Sequence, residues 1–341
     1  MTESIQSIRT WRRDPDFDGQ DAAAGPPDDA STTARAERAE ADARYEAFVS
    51  TGASGAPSGP SGDPCNDFEA PGHDYDRCVK DPVTNPVLFQ RQGTDADAID
   101  SNDVRQGGLG DCHILAPLAA LANTPRGRAL IRNAVVENKN AKGEVASWTV
   151  TLHQPEKHLF ERTTFRDVHV TVDGLYAVGH AYARGENGQN EVWPLVVEKA
   201  IAQYAGGYNQ IGRGGTPTVA IALLTGRGAT YVSLDWPSRW LRSYGAGELQ
   251  TDLANGKLVV LSTRSDIGGS ASADATPAQH QASVEAHGLR PDHAYFAMGV
   301  EEHNGKLFMK LGNPWAKAEP GLVPCDELTR WFSAVATGSV P

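Results

Sequence analysis

No apolar run in this 341-residue chain approaches the roughly 18 residues a membrane-spanning helix needs. Positive charge is also in short supply. Thirty-one Lys and Arg stand against 43 Asp and Glu, a formal net charge of −12, which argues against a nucleic-acid partner held by electrostatics. Cysteine is scarce: four residues exclude a small disulfide-built scaffold. The opening stretch MTESIQSIRTWRRDPDFDG has neither an apolar core nor a small-residue cleavage site, so no secretory leader is predicted. The localisation expected is cytoplasmic, or exported without a Sec-type signal peptide.

Large aliphatic residues are thin before about residue 85. Residues 1–84 read as a low-complexity arm, disordered or docking on a partner. One helix is predicted between Ser31 and Val49, and residues 53–64, ASGAPSGPSGDP, read as a flexible linker. Cys65 and Cys78 bracket the acidic segment CNDFEAPGHDYDRC, where a disulfide and two thiols fit equally well.

From about residue 86 the texture becomes globular. Leu115, Leu118, Ala119 and Ala122 recur at helical spacing, and VEKAIAQYAGGY (197–208) reads as a helix ended by paired glycines. YVSLDW (231–236), KLVVLST (257–263) and residues 293–314 read as strands, the last folded at His303-Asn304-Gly305 into a hairpin. Helices thus precede strands, which predicts an α+β protein with two unlike lobes.

The chemistry concentrates in QGGLGDCHILAPLAALA, residues 106–122. Cys112 stands where a helix begins, and a helix N-terminus favours the thiolate. Gly107, Gly108 and Gly110 let the preceding backbone turn tightly and approach a substrate. The amide of Gln106 and the Cys112 N–H can together bind a developing oxyanion, while Asp111 can cap the helix. Pro117 predicts a bend or a late helix start. On this stretch alone, a small buried thiol in a glycine turn explains Cys112 as well as a nucleophile does.

A nucleophilic thiol needs a base and a group to orient that base. His293 heads an apolar strand. Asn313 falls near it across the predicted hairpin, 11 and 9 residues from the turn centre at about residue 304. The Asn oxygen is expected to accept from the imidazole Nδ1–H, with Trp315 shielding that bond. A rim histidine and an Asn-Pro turn are the plain alternatives. His180 is a rival base on a polar, Gly-rich loop. His113 adjoins Cys112 but points elsewhere on the helix, as a wall of the substrate cleft beside Gly108.

These residues resemble the calpain family of papain-like cysteine proteases. QGGLGDC (106–112) is similar to its nucleophile motif. EVWPLVVEKAIAQYAGGY (191–208) with LLTG (223–226) is similar to the end of its first lobe, and DHAYFAMGV (292–300) with LGNPWA (311–316) to its His and Asn motifs. The resemblance implies Cys112 as nucleophile, His293 as acid and base, Asn313 as orienter and Gln106 as oxyanion donor. It implies a papain-like fold with a helical lobe at 85–228, a β-rich lobe at 229–341 and the site in the cleft between them. It implies hydrolysis of a polypeptide through a thioester on Cys112. His113 departs from the family's Trp at that position. Asp103 and Glu198 match positions that contribute carboxylates to Ca²⁺ in the family; no metal is required for the chemistry itself. Glu319 and Asp326 are the acids available in the second lobe. No EF-hand loop is present, and the core is expected without the regulatory domains that often follow it. Small size, the arm and an excess of Arg over Lys (22 to 9) fit a bacterial protein, housekeeping or a protease effector with an inhibitor or immunity partner. An acyl or amide transferase, or an inactive peptide-binding module, are the alternatives on the same fold.

Overall fold

The computed structural model describes residues 73–91, 96–156, 163–183, 188–235, 244–264, 287–316 and 319–341. The predicted helix at 31–49, the linker at 53–64 and Cys65 lie outside them. Packed structure begins earlier than the composition suggests. Tyr75 is buried in the core, and strand β1 (Val79–Pro82) pairs with a strand at 175–177. A short β2 (Pro86–Val87) follows. Residues 73–84 therefore belong to the fold and not to the arm. Cys78 is disulfide-bonded, whereas Cys112 and Cys325 are free thiols.

Helix α1 (Cys112–Ala122) lies at the centre of the molecule, and every residue from His113 to Ala122 is buried. Pro117 sits inside it without delaying its start. One backbone hydrogen bond is forfeited, but apolar contacts on all sides hold the helix. Helix α2 (Pro125–Ala134) follows, capped by the Thr124 hydroxyl, which accepts from the Gly127 N–H at 3.0 Å.

The next segment is not helical. Strands β3 (Val135–Lys139), β4 (Val145–Glu156) and β5 (Thr164–Val172) form an antiparallel meander. Trp148, Val150 and Leu152 face the core, while Thr149, Thr151 and His153 meet Thr171, His169 and Asp167 on the other face. This corrects the expectation of a helical lobe over 85–228. The alternation in WTVTLHQ is a strand pattern in plain view.

After β6 (Leu175–Ala177) and β7 (Asn190–Glu191) come α3 (Trp193–Ala205), the one-turn α4 (Tyr208–Ile211) and α5 (Pro217–Thr225). Helix α3 stops at Gly206 (φ 98°), a left-handed position that costs glycine little. Helix α5 ends the same way at Gly226 (φ 63°).

The second half builds an antiparallel sheet around β8 (Ala229–Ser233), β9 (Lys257–Thr263), β10 (Ala294–His303), β11 (Lys306–Gly312), β12 (Val323–Pro324) and β13 (Phe332–Ser339). Their spatial order is β12-β11-β10-β9-β13-β8. The predicted hairpin forms between β10 and β11, with Asn304 (φ 53°) and Gly305 (φ 75°) in its two-residue turn. Period-two alternation splits the sheet between two cores. Leu258, Val260 and Phe296 join the core of α1, whereas Val259, Leu261 and Tyr295 face a second core with Leu249 of α6 (Ala246–Ala254). A single helical turn, α7 (Leu328–Trp331), leads into the last strand, β13. Small residues let β13 run close under α5: a Cβ on Gly338 would stand 2.2 Å from Ile221.

Candidate active site

Helix α1 carries Cys112 to the sheet. The residue as a whole is half-buried, and the backbone N–H of Ala294, the first residue of β10, favours ionisation of its thiol, as does that of His113. His293 immediately precedes Ala294, so helix-on-sheet packing sets Cys112 beside the strand end that carries the base candidate, 181 residues on in the chain.

His293 is 6% exposed and fixed on several sides. Its backbone N–H donates to the Thr263 hydroxyl of β9 at 2.9 Å. Its ring lies against Trp315 (centroids 4.7 Å apart) and edge-on to Tyr295 (4.9 Å). Its Nε2 is 2.9 Å from Asn313 Oδ1. An amide oxygen only accepts, so Nε2 carries the proton and Nδ1 is the basic nitrogen. This reverses the expected assignment, in which Nδ1–H faced the asparagine. A β-strand holds the two residues opposite one another but does not dictate which ring edge turns inward.

Asn313 Oδ1 also accepts the Trp315 backbone N–H at 3.1 Å, and the Asn313 N–H donates to Glu319 Oε2 at 2.8 Å. Thr263, Tyr295 and Glu319 thus brace the pair. Only Glu319 was singled out in the sequence, and for a different purpose. Asp326 is exposed in the turn before α7.

The nucleophile loop is clamped on three sides. The Gln106 N–H donates to the Pro314 carbonyl at 2.8 Å, tying it to the asparagine turn. Gly108 N–H bonds the Gly179 carbonyl at 3.0 Å, and Gly110 exchanges backbone bonds with Gly212 and Gly214. The Gln106 side-chain amide donates to the Leu109 carbonyl at 2.6 Å, which engages one of its two N–H bonds within its own loop. A Cβ on Gly107 would stand 2.1 Å from the Gly179 carbonyl oxygen. Gly107→Ala is therefore expected to cost about 1–3 kcal/mol and to displace the loop, a loss that denaturant unfolding would measure.

Two expectations do not hold. Asp111 occupies the N-cap position of α1 but makes no capping bond with its side chain, which is 1% exposed. His113 is buried at 8% exposure, its ring against the Cα of Gly215, and so is not an open cleft wall. Gly108 is exposed. His180 bonds the Ala177 carbonyl through Nδ1 at 2.9 Å and stacks with Tyr182.

The electrostatics also differ from the expectation of a thiolate stabilised by the helix alone. Burial pushes the Cys112 thiol up to about 12, and the nearby charges of Asp111 and Asp292 act in the same direction. Burial pushes His293 down to about 4, against the hydrogen bond to Asn313. Burial thus disfavours a lone thiolate and a lone imidazolium alike.

The two acids suggested for calcium do not share a site. Asp103 hydrogen-bonds with Glu191, accepts the Asp100 N–H at 2.6 Å and the Trp193 indole N–H at 3.3 Å, and is raised to about 6, mainly by burial. The charged neighbour of Glu198 is Asp111. Among the described residues no three His, Cys, Asp or Glu side chains are grouped to hold a metal ion. As a pair, Asp103 and Glu198 therefore do not fit calcium.

Comparison with known families decides the wider question. The family model for calpain family cysteine proteases matches residues 84–335, well over half of the chain. The chain belongs to the calpain family of cysteine proteases. Its relatives are distant. It is 27% identical over 236 residues to calpain-type cysteine protease ADL1 of Oryza sativa subsp. japonica, a match covering 68% of this chain and 9% of that protein. Identity to calpain-8 of Rattus norvegicus is 27% over 237 residues, covering 67% of this chain and 30% of the relative. Calpain-13 of the same species is 28% identical over 225 residues, covering 64% and 29%. This calpain-family chain thus spans less than a third of the length of these relatives. No helix among its described residues is long and apolar enough to cross a membrane.

Proposed function

We propose that this chain is an active cysteine endopeptidase in which Cys112 is the nucleophile, His293 the acid and base, Asn313 the orienter and Gln106 an oxyanion donor. The observation that carries this reading is the buried His293–Asn313 hydrogen bond beside the Ala294 N–H that meets the Cys112 sulfur. The α1–α5 half and the six-stranded sheet are read as the two halves of a papain-like protease, with an extended polypeptide bound between them.

A lone thiolate or a lone imidazolium is disfavoured in this setting. Transfer of the thiol proton to His293 Nδ1 creates both charges together, each stabilising the other. The sulfur then attacks the peptide carbonyl carbon. The oxyanion is met by the Cys112 N–H and by the Gln106 N–H that does not bond Leu109. The C–N bond breaks as the imidazolium gives its proton to the leaving amine, leaving a thioester on Cys112. Water attacks the thioester with its proton passing to His293, and the C–S bond breaks to release the acid and restore the thiol. Asn313 holds the Nε2–H throughout, and Trp315 covers that bond. A calcium ion in the first half would be held by Asp103 with Glu191, whose carboxyl groups adjoin, and not by Glu198.

The test is digestion of an unfolded protein in ¹⁸O-labelled water with a lysine donor present, in calcium and in chelator. Fragments carrying ¹⁸O at their new C-termini are expected. Lysine-linked products without labelled termini would overturn hydrolysis in favour of group transfer. Equal rates in calcium and chelator would remove calcium from the account.

A further inference from the structure

Among the described residues, the buried polar group with least to account for it is Asp111, one residue before the nucleophile. It is 1% exposed, and neither of its carboxylate oxygens meets a donor from another of the described residues. Its side chain could have capped α1 and does not. Opposite it on α3 lies Glu198, 6% exposed. Besides the Cys112 thiol, on which the Asp111 charge acts, the titratable groups facing the two among the described residues are phenols: Tyr176 of β6, whose buried hydroxyl has no hydrogen-bond partner there, and Tyr208 of α4. No cation among the described residues acts on either carboxyl. Lys199, next to Glu198, turns instead to Asp173 and the Leu175 carbonyl. The backbone bonds of Gly110 with Gly212 and Gly214 fix the loop, so Asp111 cannot simply swing to water.

Two buried carboxylates without a cation cannot both be ionised at low cost. Resting on the protease reading for its consequence at Cys112, we propose that Asp111 and Glu198 work as one unit, a carboxyl–carboxylate pair that retains a proton at neutral pH and limits the negative charge beneath the nucleophile. The pair is a positioning and electrostatic element; neither acid touches substrate. When the proton leaves on the alkaline side, negative charge accumulates one residue from Cys112 and opposes the thiolate. Burial raises both carboxyls, Asp111 to about 8. The folded protein therefore binds a proton that the unfolded chain releases near pH 4, and stability falls as pH rises between about 4 and about 8.

Two readouts test this on the full chain, and neither needs peptide cleavage. Unfolding midpoints are measured from pH 5 to 9 for wild type, Asp111→Asn and Glu198→Gln. Iodoacetamide alkylation of the Cys112 peptide is followed by mass spectrometry over the same range. Both variants are expected to flatten the alkaline fall in midpoint. Asp111→Asn is expected to move the alkylation profile about one pH unit lower, and Glu198→Gln by less than half of that, because the nearer charge remains. Midpoint curves that run parallel to wild type overturn the pair, as do equal alkylation shifts in the two variants. Should Asp111→Asn fail to fold, the midpoint slope of Glu198→Gln decides alone. Should the protease reading fail, the midpoint slopes still report on the pair.

Discussion

Cys112→Ala is expected to lower peptide-bond hydrolysis by about 10⁴-fold or more while leaving the fold intact. The thiol is the only group in the proposed sequence of steps that bonds to the substrate carbon, and without it the oxyanion donors act on water alone. Alanine is a good helix former, and the position is half-buried at the first turn of α1, so the unfolding midpoint is expected to move by only a few degrees. Cys112→Ser is expected to be nearly as inactive. A hydroxyl gives up its proton far less readily than a thiol, and this imidazole is already held low in basicity by burial. Initial rates on an unfolded protein, with midpoints measured in parallel, separate loss of chemistry from loss of fold. Wild-type rates in Cys112→Ala would remove the residue from the reaction.

The second large effect is expected at the base and its orienter. His293→Ala is expected to cost about 10²–10⁴-fold in kcat, the usual contribution of a positioned proton carrier. Asn313→Ala should cost about 10²-fold through misplacement of the ring, with KM little changed because neither group binds the substrate backbone. Asn313 Oδ1 accepts from both His293 Nε2–H and the Trp315 N–H, so alanine frees the ring and the cover over it together. Asn313→Asp keeps an acceptor at that place and should lose less. Equal losses in Asn313→Ala and Asn313→Asp would show that acceptor geometry is not what the residue supplies. Because His293 and Asn313 are both buried, rates are compared only among variants whose midpoints exceed the assay temperature.

Much of the site was legible because its residues sit on local patterns. A glycine turn before an apolar helix marks Cys112, and a tight Asn-Gly hairpin makes His293 and Asn313 neighbours by counting alone. The ring edge facing Asn313 was not legible, since it depends on how Tyr295 and Trp315 pack. The fate of the acids was also hidden. Asp103 and Glu198 lie on separate elements, and only the path of the chain shows that Asp103 meets Glu191 while Glu198 meets Asp111. The meander at 135–172 was legible in its alternation, but the neighbouring helices drew the reading toward a helical half. Strand β13 carries mostly small residues, a weak signal that makes sense only beneath α5. Residues 73–84 show little aliphatic content; what orders them is Tyr75 in the core and Asp76, whose carboxylate accepts the Tyr208 N–H at 2.6 Å.

The proposed mechanism turns on a covalent bond between Cys112 and the acyl half of the substrate. Its most direct measurement is an acid quench during turnover of a slowly hydrolysed peptide ester, followed by mass spectrometry of the peptide containing Cys112. The acyl mass is expected on Cys112 in wild type and absent in Cys112→Ala, with the buried thiol of Cys325 unmodified in both. Turnover with no acyl mass on Cys112, or with that mass on Cys325, would contradict it.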